Sequence, residues 1–139
     1  MNRFQVYLAE RQIWREVKRL GLTWETSEHA PNTYENLAAL CPGRHMVVYS
    51  GGSDKTIWSS PEVNYAFRAW HDYIHVQFKL PFTLEGETAA ARIQSRSLSG
   101  LAKRLIEIEV IDQAKHFLAT GEFVADQRAF TIKKLRGAK

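Results

Sequence analysis

Apolar positions along the chain recur mostly every three or four residues, the spacing of an amphipathic helix. The first stripe covers residues 3–20 and stops before Gly21, a residue suited to ending a helix. Its apolar positions are Phe4, Tyr7, Ile13, Trp14, Val17 and Leu20. The spacing therefore predicts one long helix at the start of the chain.

Local start and stop signals divide the rest of the chain into further helices. Asn32 resembles the N-cap of a short helix that Pro42 stops. Ser60 followed by Pro61 predicts a helix to about Phe78, because proline suits the first helical position. Another helix is predicted from Leu84 after the cap residue Thr83, then a long stripe from Leu98 to Leu118 that ends at Gly121, and a last helix or mixed tail over 122–135.

Two short β-rich runs interrupt this helical pattern, at residues 46–50 and 55–58. Gly51 and Gly52 lie between them, and such a pair between two β-rich runs is typical of a hairpin turn. The segment 22–31 is polar and aperiodic and predicts no element. We therefore expect a mainly α (α+β) fold, a helical bundle-like single domain over residues 1–139 with one small β-hairpin.

The same glycine-rich stretch, SGGSD at residues 50–54, resembles the SGGxD loop of PP-loop ATP pyrophosphatases, in which backbone N–H groups cradle pyrophosphate. That loop follows a strand of a parallel sheet and leads directly into a helix. Here the β-rich run at 55–58 intervenes, and Lys55 stands where that family has serine. The context favours a hairpin turn over a phosphate site.

Composition places the chain among folded proteins, since 45% of its 139 residues are hydrophobic and 24% are charged. No apolar stretch approaches the length of a membrane span, and MNRFQVYLAERQ lacks the apolar region of a signal peptide. We expect a cytoplasmic protein with no membrane partner. The single cysteine, Cys41, excludes an internal disulfide and a cysteine-rich zinc site, which leaves histidine and carboxylate as metal ligands.

The formal net charge of +4 favours an anionic partner. The basic residues are spread over the first helix, a later helix and the C-terminus, where Lys133, Lys134, Arg136 and Lys139 lie. Nucleic acid is therefore an open alternative as a partner. Nothing in the sequence indicates the oligomeric state.

The segment WHDYIH at residues 70–75 carries the candidate chemistry. At 100° per residue, polar side chains form a continuous edge beside the apolar face of the helix predicted from Pro61. That edge consists of Asn64, Arg68, His71, Asp72 and His75. Two histidines at i and i+4 can both reach one divalent ion, so His71 and His75 are candidate metal ligands.

The pattern His71-Asp72-Tyr73-Ile74-His75 is similar to the HExxH helix of zincin metallopeptidases. That similarity implies a general base at Asp72, where the family has glutamate. It also implies a third ligand further along the chain, for which Glu85 or Glu87 is available.

The adjacent His71 and Asp72 also resemble the central dyad of HD-domain phosphohydrolases, an all-α family that cleaves phosphate esters with bound metal. Some members continue the dyad as HDxxH, as this chain does. The resemblance implies outer ligands at His29 or His45 upstream and at Asp112 or Asp126 downstream.

A third resemblance is to ferritin-like bundles, in which D/ExxH pairs on facing helices bind two metals. Asp72 and His75 match one such pair. On the long later helix Glu109, Asp112 and His116 share a face and offer a second stripe of ligands.

These patterns predict a small metal-dependent hydrolase that acts on a phosphate ester or nucleotide. The predicted ligands of a zinc, manganese or iron ion are His71, His75, Glu87, Asp112 and His116. Such an ion activates water, and Asp72 is the candidate base. Arg68 is expected to orient Asp72 or to meet a substrate phosphate.

Residues 46–90, which include SGGSDKTIWSSPEVNYAFRAWHDYIH, resemble small uncharacterised proteins encoded by bacteriophages. This resemblance supports an alternative function, a non-enzymatic phage accessory protein in the cytoplasm of an infected host. Such a protein would bind a host protein or nucleic acid, and the helix with His71 and Asp72 would then be purely structural.

Overall fold

Helices form most of the chain between residues 2 and 137, the part that the computed structural model describes. Lys139, one of the basic residues noted at the C-terminus, lies outside these residues. The elements in chain order are α1 (Arg3–Arg19), β1 (Thr23–Ser27), α2 (Tyr34–Leu40), β2 (His45–Tyr49), α3 (Pro61–Gln77), α4 (Leu84–Ser95), α5 (Gly100–Ile106), a π-helical turn (Glu107–Asp112), α6 (Gln113–Thr120) and α7 (Gln127–Leu135). The predicted fold class, mainly α with a small β part in a single compact domain, is confirmed.

The helix boundaries follow local capping chemistry. The Asn2 side chain accepts a hydrogen bond from the backbone N–H of Gln5 at the start of α1, and the Gln5 side chain accepts one from the backbone N–H of Asn2. Helix α3 begins at Pro61, as predicted. The Thr83 hydroxyl accepts a hydrogen bond from the Gly86 N–H at the start of α4, which confirms the predicted cap.

The predicted hairpin is wrong. Strand β2 pairs with β1 in a parallel sheet, in a register that runs from Thr23 opposite His45 to Ser27 opposite Tyr49, and α2 makes the crossover between them. Residues 55–58 form no strand but part of an irregular loop between β2 and α3. Their β-rich composition reflects burial instead, because Trp58 is only 2% exposed.

The long predicted helix 98–118 is interrupted by the π-helical turn, which joins α5 to α6. A π-helical turn adds one residue to a helical turn and so rotates the face that follows it. Ile108, Glu109 and Val110 are all buried in this turn. Helix α6 ends at Gly121, whose φ of 76° is a left-handed conformation that glycine adopts without steric cost.

One hydrophobic core joins α1, β2, α3, α4 and α5. Its fully buried large side chains include Ile13, Met46, Trp58, Trp70 and Leu105. The core fixes α3 at the centre of the molecule, with α1, β2 and α4 packed against it. Among residues 2–137, no helix has the length and apolar character needed to cross a bilayer.

Candidate metal centre

Helices α3 and α4 bring together two histidines and a glutamate. His71 Nε2 lies 2.7 Å from Glu87 Oε2, and His75 Nε2 lies 3.3 Å from the same oxygen. The two Nε2 atoms are 3.1 Å apart. Within the described residues, these ligand atoms form a group in which all lie within 4.8 Å of one another, close enough to hold one metal ion.

The other nitrogen of each imidazole already has a partner. His75 Nδ1 lies 2.8 Å from the Leu80 carbonyl oxygen, and since a carbonyl only accepts, Nδ1 carries the hydrogen. His71 Nδ1 likewise donates to Gln94 Oε1 at 2.8 Å. Such outer partners fix the tautomer and orientation of metal-binding histidines. Both Nε2 atoms are therefore directed toward Glu87.

Strong electrostatic coupling joins His71 to Glu87. Burial opposes a charge on His71, but the Glu87 carboxylate outweighs this effect and raises the pKa of His71 to about 9. Burial also opposes a charge on Glu87, yet the two histidines hold the pKa of its carboxyl well below the usual range. A divalent ion would replace the proton that His71 shares with Glu87.

The tight connection between α3 and α4 positions these side chains. Lys79 has a φ of 54°, a left-handed conformation that is uncommon for a residue with a side chain. The turn returns the chain so that the Leu80 N–H donates to the His75 carbonyl at 2.9 Å. Gly86 lies against the Pro81 carbonyl so closely that a Cβ there would overlap it. The close approach places the next residue, Glu87, opposite the two histidines.

Two aromatic rings border the group, one on a buried residue and one on an exposed residue. The Phe67 ring stacks on His71 with centroids 6.3 Å apart, and the Phe82 ring meets His75 edge-on at 4.9 Å. The His75 side chain has no exposed surface, whereas those of His71 and Glu87 are 14% and 24% exposed. Solvent therefore reaches the group from the side of Glu87 and His71.

Asp72 lies next to the ligands in sequence but outside the group of converging atoms. Burial raises the pKa of its carboxyl to about 6, while the nearby His71 and His75 act in the opposite direction. Asp72 is thus a half-buried carboxyl within electrostatic reach of both histidines.

Arg68 holds the glycine-rich loop. Its Nη1 donates to the carbonyl oxygens of Tyr49 at 2.6 Å and Gly51 at 2.9 Å, and its guanidinium lies over the Tyr49 ring. Burial lowers the pKa of Arg68. Between residues 2 and 137 it forms no ion pair with Asp72, so the orienting contact expected from the sequence is not seen.

The second stripe of expected ligands lies elsewhere. Asp112 and His116 are outside the converging group, and the His116 ring packs edge-on against Phe130 with centroids 5.6 Å apart. Glu109 takes hydrogen bonds from the Thr131 hydroxyl and the Gln113 amide. Helix α6 packs on the π-helical turn and on α4.

Other candidates from the sequence are also outside the group. Among the outer ligands that the phosphohydrolase resemblance implied, His45 contacts Thr23 and Glu25 on the exposed face of the small sheet. Glu85, the alternative to Glu87, is exposed.

The sequence analysis missed the two outer partners of the histidines. Gln94 lies two helical turns after Glu87 on the same face of α4, and this spacing is the signal that could have identified it. The Leu80 carbonyl gives no such signal, because every residue carries a carbonyl group.

Two imidazole nitrogens and one carboxylate are a ligand set that suits zinc and other divalent transition metals. Three protein ligands leave a coordination position for water or substrate, which is the arrangement of catalytic rather than structural zinc sites. The chain itself matches no protein-family model, no curated protein and no solved structure.

Proposed function

We propose that the protein is a metal-dependent hydrolase that acts on a phosphate ester or nucleotide, with His71, His75 and Glu87 as the metal ligands. One observation carries this proposal. Both Nε2 atoms converge on the Glu87 carboxylate while both Nδ1 atoms are engaged by oxygen acceptors. Histidines held in this way are prepared for metal binding by their outer partners.

Zinc is the first candidate ion, and manganese and iron are the alternatives. Zinc accepts two nitrogens and one carboxylate oxygen in tetrahedral sites that keep a fourth position open. When bound, such an ion lowers the pKa of water at the open position toward neutrality. The partial exposure of His71 and Glu87 supplies a route for that water and for a substrate.

Asp72 is the proposed general base. It follows His71 directly on α3, it is half-buried, and it lies within electrostatic reach of both histidines. A carboxylate at this position can accept a proton from water that reaches the ligands. Arg68 has a positioning role, since it holds the loop that follows β2 through the Tyr49 and Gly51 carbonyls.

The preference for a phosphate-bearing substrate has two supports. The HDxxH segment, with His71 and Asp72 as the adjacent pair, resembles the phosphohydrolase dyad, and the net charge of +4 favours an anionic substrate. Both supports come from the sequence, so the substrate class is tested separately from the metal.

The first experiment measures metal content by elemental mass spectrometry on untagged protein purified without chelator. The wild type is compared with His75→Ala and with the matched control His29→Ala, which removes an exposed histidine outside the group. A third variant, His116→Ala, tests the second ligand stripe predicted from the sequence. We expect near-stoichiometric metal in every protein except His75→Ala.

Metal-free wild-type protein that gains no thermal stability from added zinc, manganese or iron would overturn the proposal. The alternative would then be a non-enzymatic protein that binds a host protein or nucleic acid. If metal is present, hydrolysis of aryl phosphates and nucleotides is assayed with Asp72→Asn. We expect this variant to keep its metal and to lose roughly 10²-fold to 10⁴-fold in rate. Unchanged hydrolysis by Asp72→Asn would exclude the base role.

A further inference from the structure

A groove of about 400 Å³ lies between the C-terminal ends of α1 and α4 and the side of α3 that carries Trp70, Tyr73 and Gln77. This volume is within the range of small-molecule sites. Residues on all three helices line it, and most are aromatic or aliphatic side chains, accompanied by two arginines, Gln77 and Ser97. A site with this composition suits a ligand that has both an apolar body and an anionic group.

The apolar wall of the groove comes mainly from α3. Trp70 forms its floor and is almost fully buried, whereas Phe78 stands at the rim with half of its surface exposed. Ile93 of α4 lies on the opposite side. Aromatic walls favour flat ring systems, because stacked and edge-on contacts add to the free energy gained from burial.

Tyr73 provides a polar atom inside this groove. This residue is 9% exposed and lines the groove, and its hydroxyl makes no hydrogen bond with any residue between 2 and 137. The hydroxyl is not one of the buried polar atoms without a partner in these residues, so it is open to the groove. A ligand in the groove can therefore accept a hydrogen bond from it.

Two guanidinium groups give the groove its charge. Arg19 is held at the rim by the buried Glu16, with Nη2 2.7 Å from the carboxylate. Arg96, at the end of α4, forms no ion pair or side-chain hydrogen bond with the described residues. Among residues 2–137, no acidic side chain lines the groove. The unpaired Arg96 is therefore the group best placed to bind an anion, and guanidinium binds phosphate through paired hydrogen bonds.

We infer that this groove binds a small molecule that joins an aromatic ring to a phosphate group, such as a nucleoside monophosphate. The ring packs against the wall formed by Trp70 and Phe78, the phosphate meets Arg96, and a polar atom of the ligand pairs with the Tyr73 hydroxyl. The inference does not depend on metal, because His71 and His75 project from a different side of α3.

The test is isothermal titration of AMP into the full chain in the presence of a chelator. Three substitutions are compared, namely Arg96→Gln, Tyr73→Phe and the control Arg11→Gln, which removes one exposed positive charge of α1 outside the groove. We expect Arg96→Gln to weaken AMP binding by about 10-fold or more, as the loss of a charge-assisted hydrogen bond predicts. Tyr73→Phe should weaken it roughly 3-fold to 10-fold, and Arg11→Gln less than about 2-fold.

Adenosine and inorganic phosphate, titrated separately, should each bind more weakly than AMP. The inference would be overturned by no binding at millimolar AMP, by equal affinity for adenosine and AMP, or by the same affinity in Arg96→Gln and Arg11→Gln. His75→Ala separates the groove from the metal centre, since we expect that variant to bind AMP normally. If His75→Ala lost AMP binding and Arg96→Gln retained it fully, AMP would bind at the metal centre, and the proposed groove site would be wrong.

Discussion

Two glutamates, Glu87 and Glu109, are withdrawn from solvent in very different surroundings. Glu87 faces two imidazoles, and although burial opposes its charge, these neighbours hold the pKa of its carboxyl well below the usual range. Glu109 lies in the π-helical turn, where its direct partners are the Thr131 hydroxyl and the Gln113 amide. Burial dominates there and raises the pKa of Glu109 to about 7, although both hydrogen bonds and the charge of Arg68 lower it.

The difference shows what distinguishes a candidate ligand from a structural acid. Glu87 remains ionised, and its Oε2 lies close to the Nε2 atoms of His71 and His75. A cation placed among these three atoms would find one carboxylate oxygen and two imidazole nitrogens as ligands. Glu109 meets neutral donors, and its carboxyl stays largely protonated up to about neutral pH. Glu87 and Glu109 make similar numbers of polar contacts. The charge of the groups that each carboxyl contacts decides whether it can serve as a metal ligand.

The largest expected effect separates the two glutamates by their response to metal. Zinc at 1,000 times its dissociation constant should raise the free energy of unfolding of the wild type by about 4 kcal/mol, or the melting temperature by roughly 10 °C. Glu87→Gln should abolish this rise because it removes the anionic ligand. Glu109→Gln is the matched control and should keep the rise. Thermal unfolding with and without zinc measures all three, and a full response in Glu87→Gln would place the ion elsewhere.

The next effect is the pH dependence that Glu109 imposes on stability. Its folded pKa of about 7 is above the ordinary value of 4.5, so the stability it contributes is complete below pH 4.5 and is lost as the pH rises through 7. That shift corresponds to about 3 kcal/mol in the free energy of unfolding. Glu109→Gln has no titrating group at this position, so its stability should not fall as the pH rises through 7. At pH 8 the variant should therefore be more stable than the wild type.

Urea unfolding at pH 5 and pH 8 gives the measurement, and the difference between wild type and Glu109→Gln cancels the groups that titrate in both proteins. Glu122→Gln, which changes an exposed glutamate, should follow the wild type at both pH values. Parallel pH profiles for the wild type and Glu109→Gln would show that Glu109 ionises normally.

The helices could be predicted from the sequence because their signals are local. The Ser60-Pro61 start and the Thr83 cap lie within one turn of the helices they begin. The parallel sheet could not be predicted in this way, because β1 and β2 are joined only through α2 and their pairing leaves no local pattern. The β-rich run at 55–58 resembles the second strand of a hairpin, but its residues 56–58 are buried without strand pairing.

In the candidate site, too, the residues with local signals could be predicted and the others could not. His71 and His75 could be found because they lie one turn apart on a single helix. Glu87 could be predicted only as one of two acids, with Glu85, that a family resemblance implied as a third ligand, and the tight turn that selects it is seen only in the structure. The stripe with Asp112 and His116 was predicted on an uninterrupted helical period. The π-helical turn breaks that period, and α6 packs against α4 and the turn.

Removing a hydrogen-bond partner of a metal-binding histidine should weaken metal binding less than removing a ligand does. Gln94→Leu removes the acceptor of the His71 Nδ1 hydrogen and should weaken zinc binding by roughly 10-fold to 100-fold. The Gln94 amide nitrogen is buried without a partner among the described residues, so the variant should fold normally. Gln113→Leu removes the amide that serves Glu109 and should leave zinc affinity unchanged. Competition with a chelating dye measures both, and equal affinities would deny Gln94 a supporting role.

The smallest effect concerns the hydroxyl that supports Glu109. Thr131 is the buried residue of α7, and its hydroxyl donates to Glu109 Oε1 at 2.7 Å. Thr131→Val keeps the shape of the side chain and removes this donor, so it should cost about 1 kcal/mol in the free energy of unfolding at pH 8. The cost should be smaller at pH 5, where Glu109 is protonated, and smaller again in a Glu109→Gln background. Urea unfolding of the two single variants and the double variant gives the coupling between these side chains. A coupling that is absent at pH 8 would mean that α7 is held by its partly buried Ile132 and Leu135, and that the hydrogen bond contributes nothing to its docking.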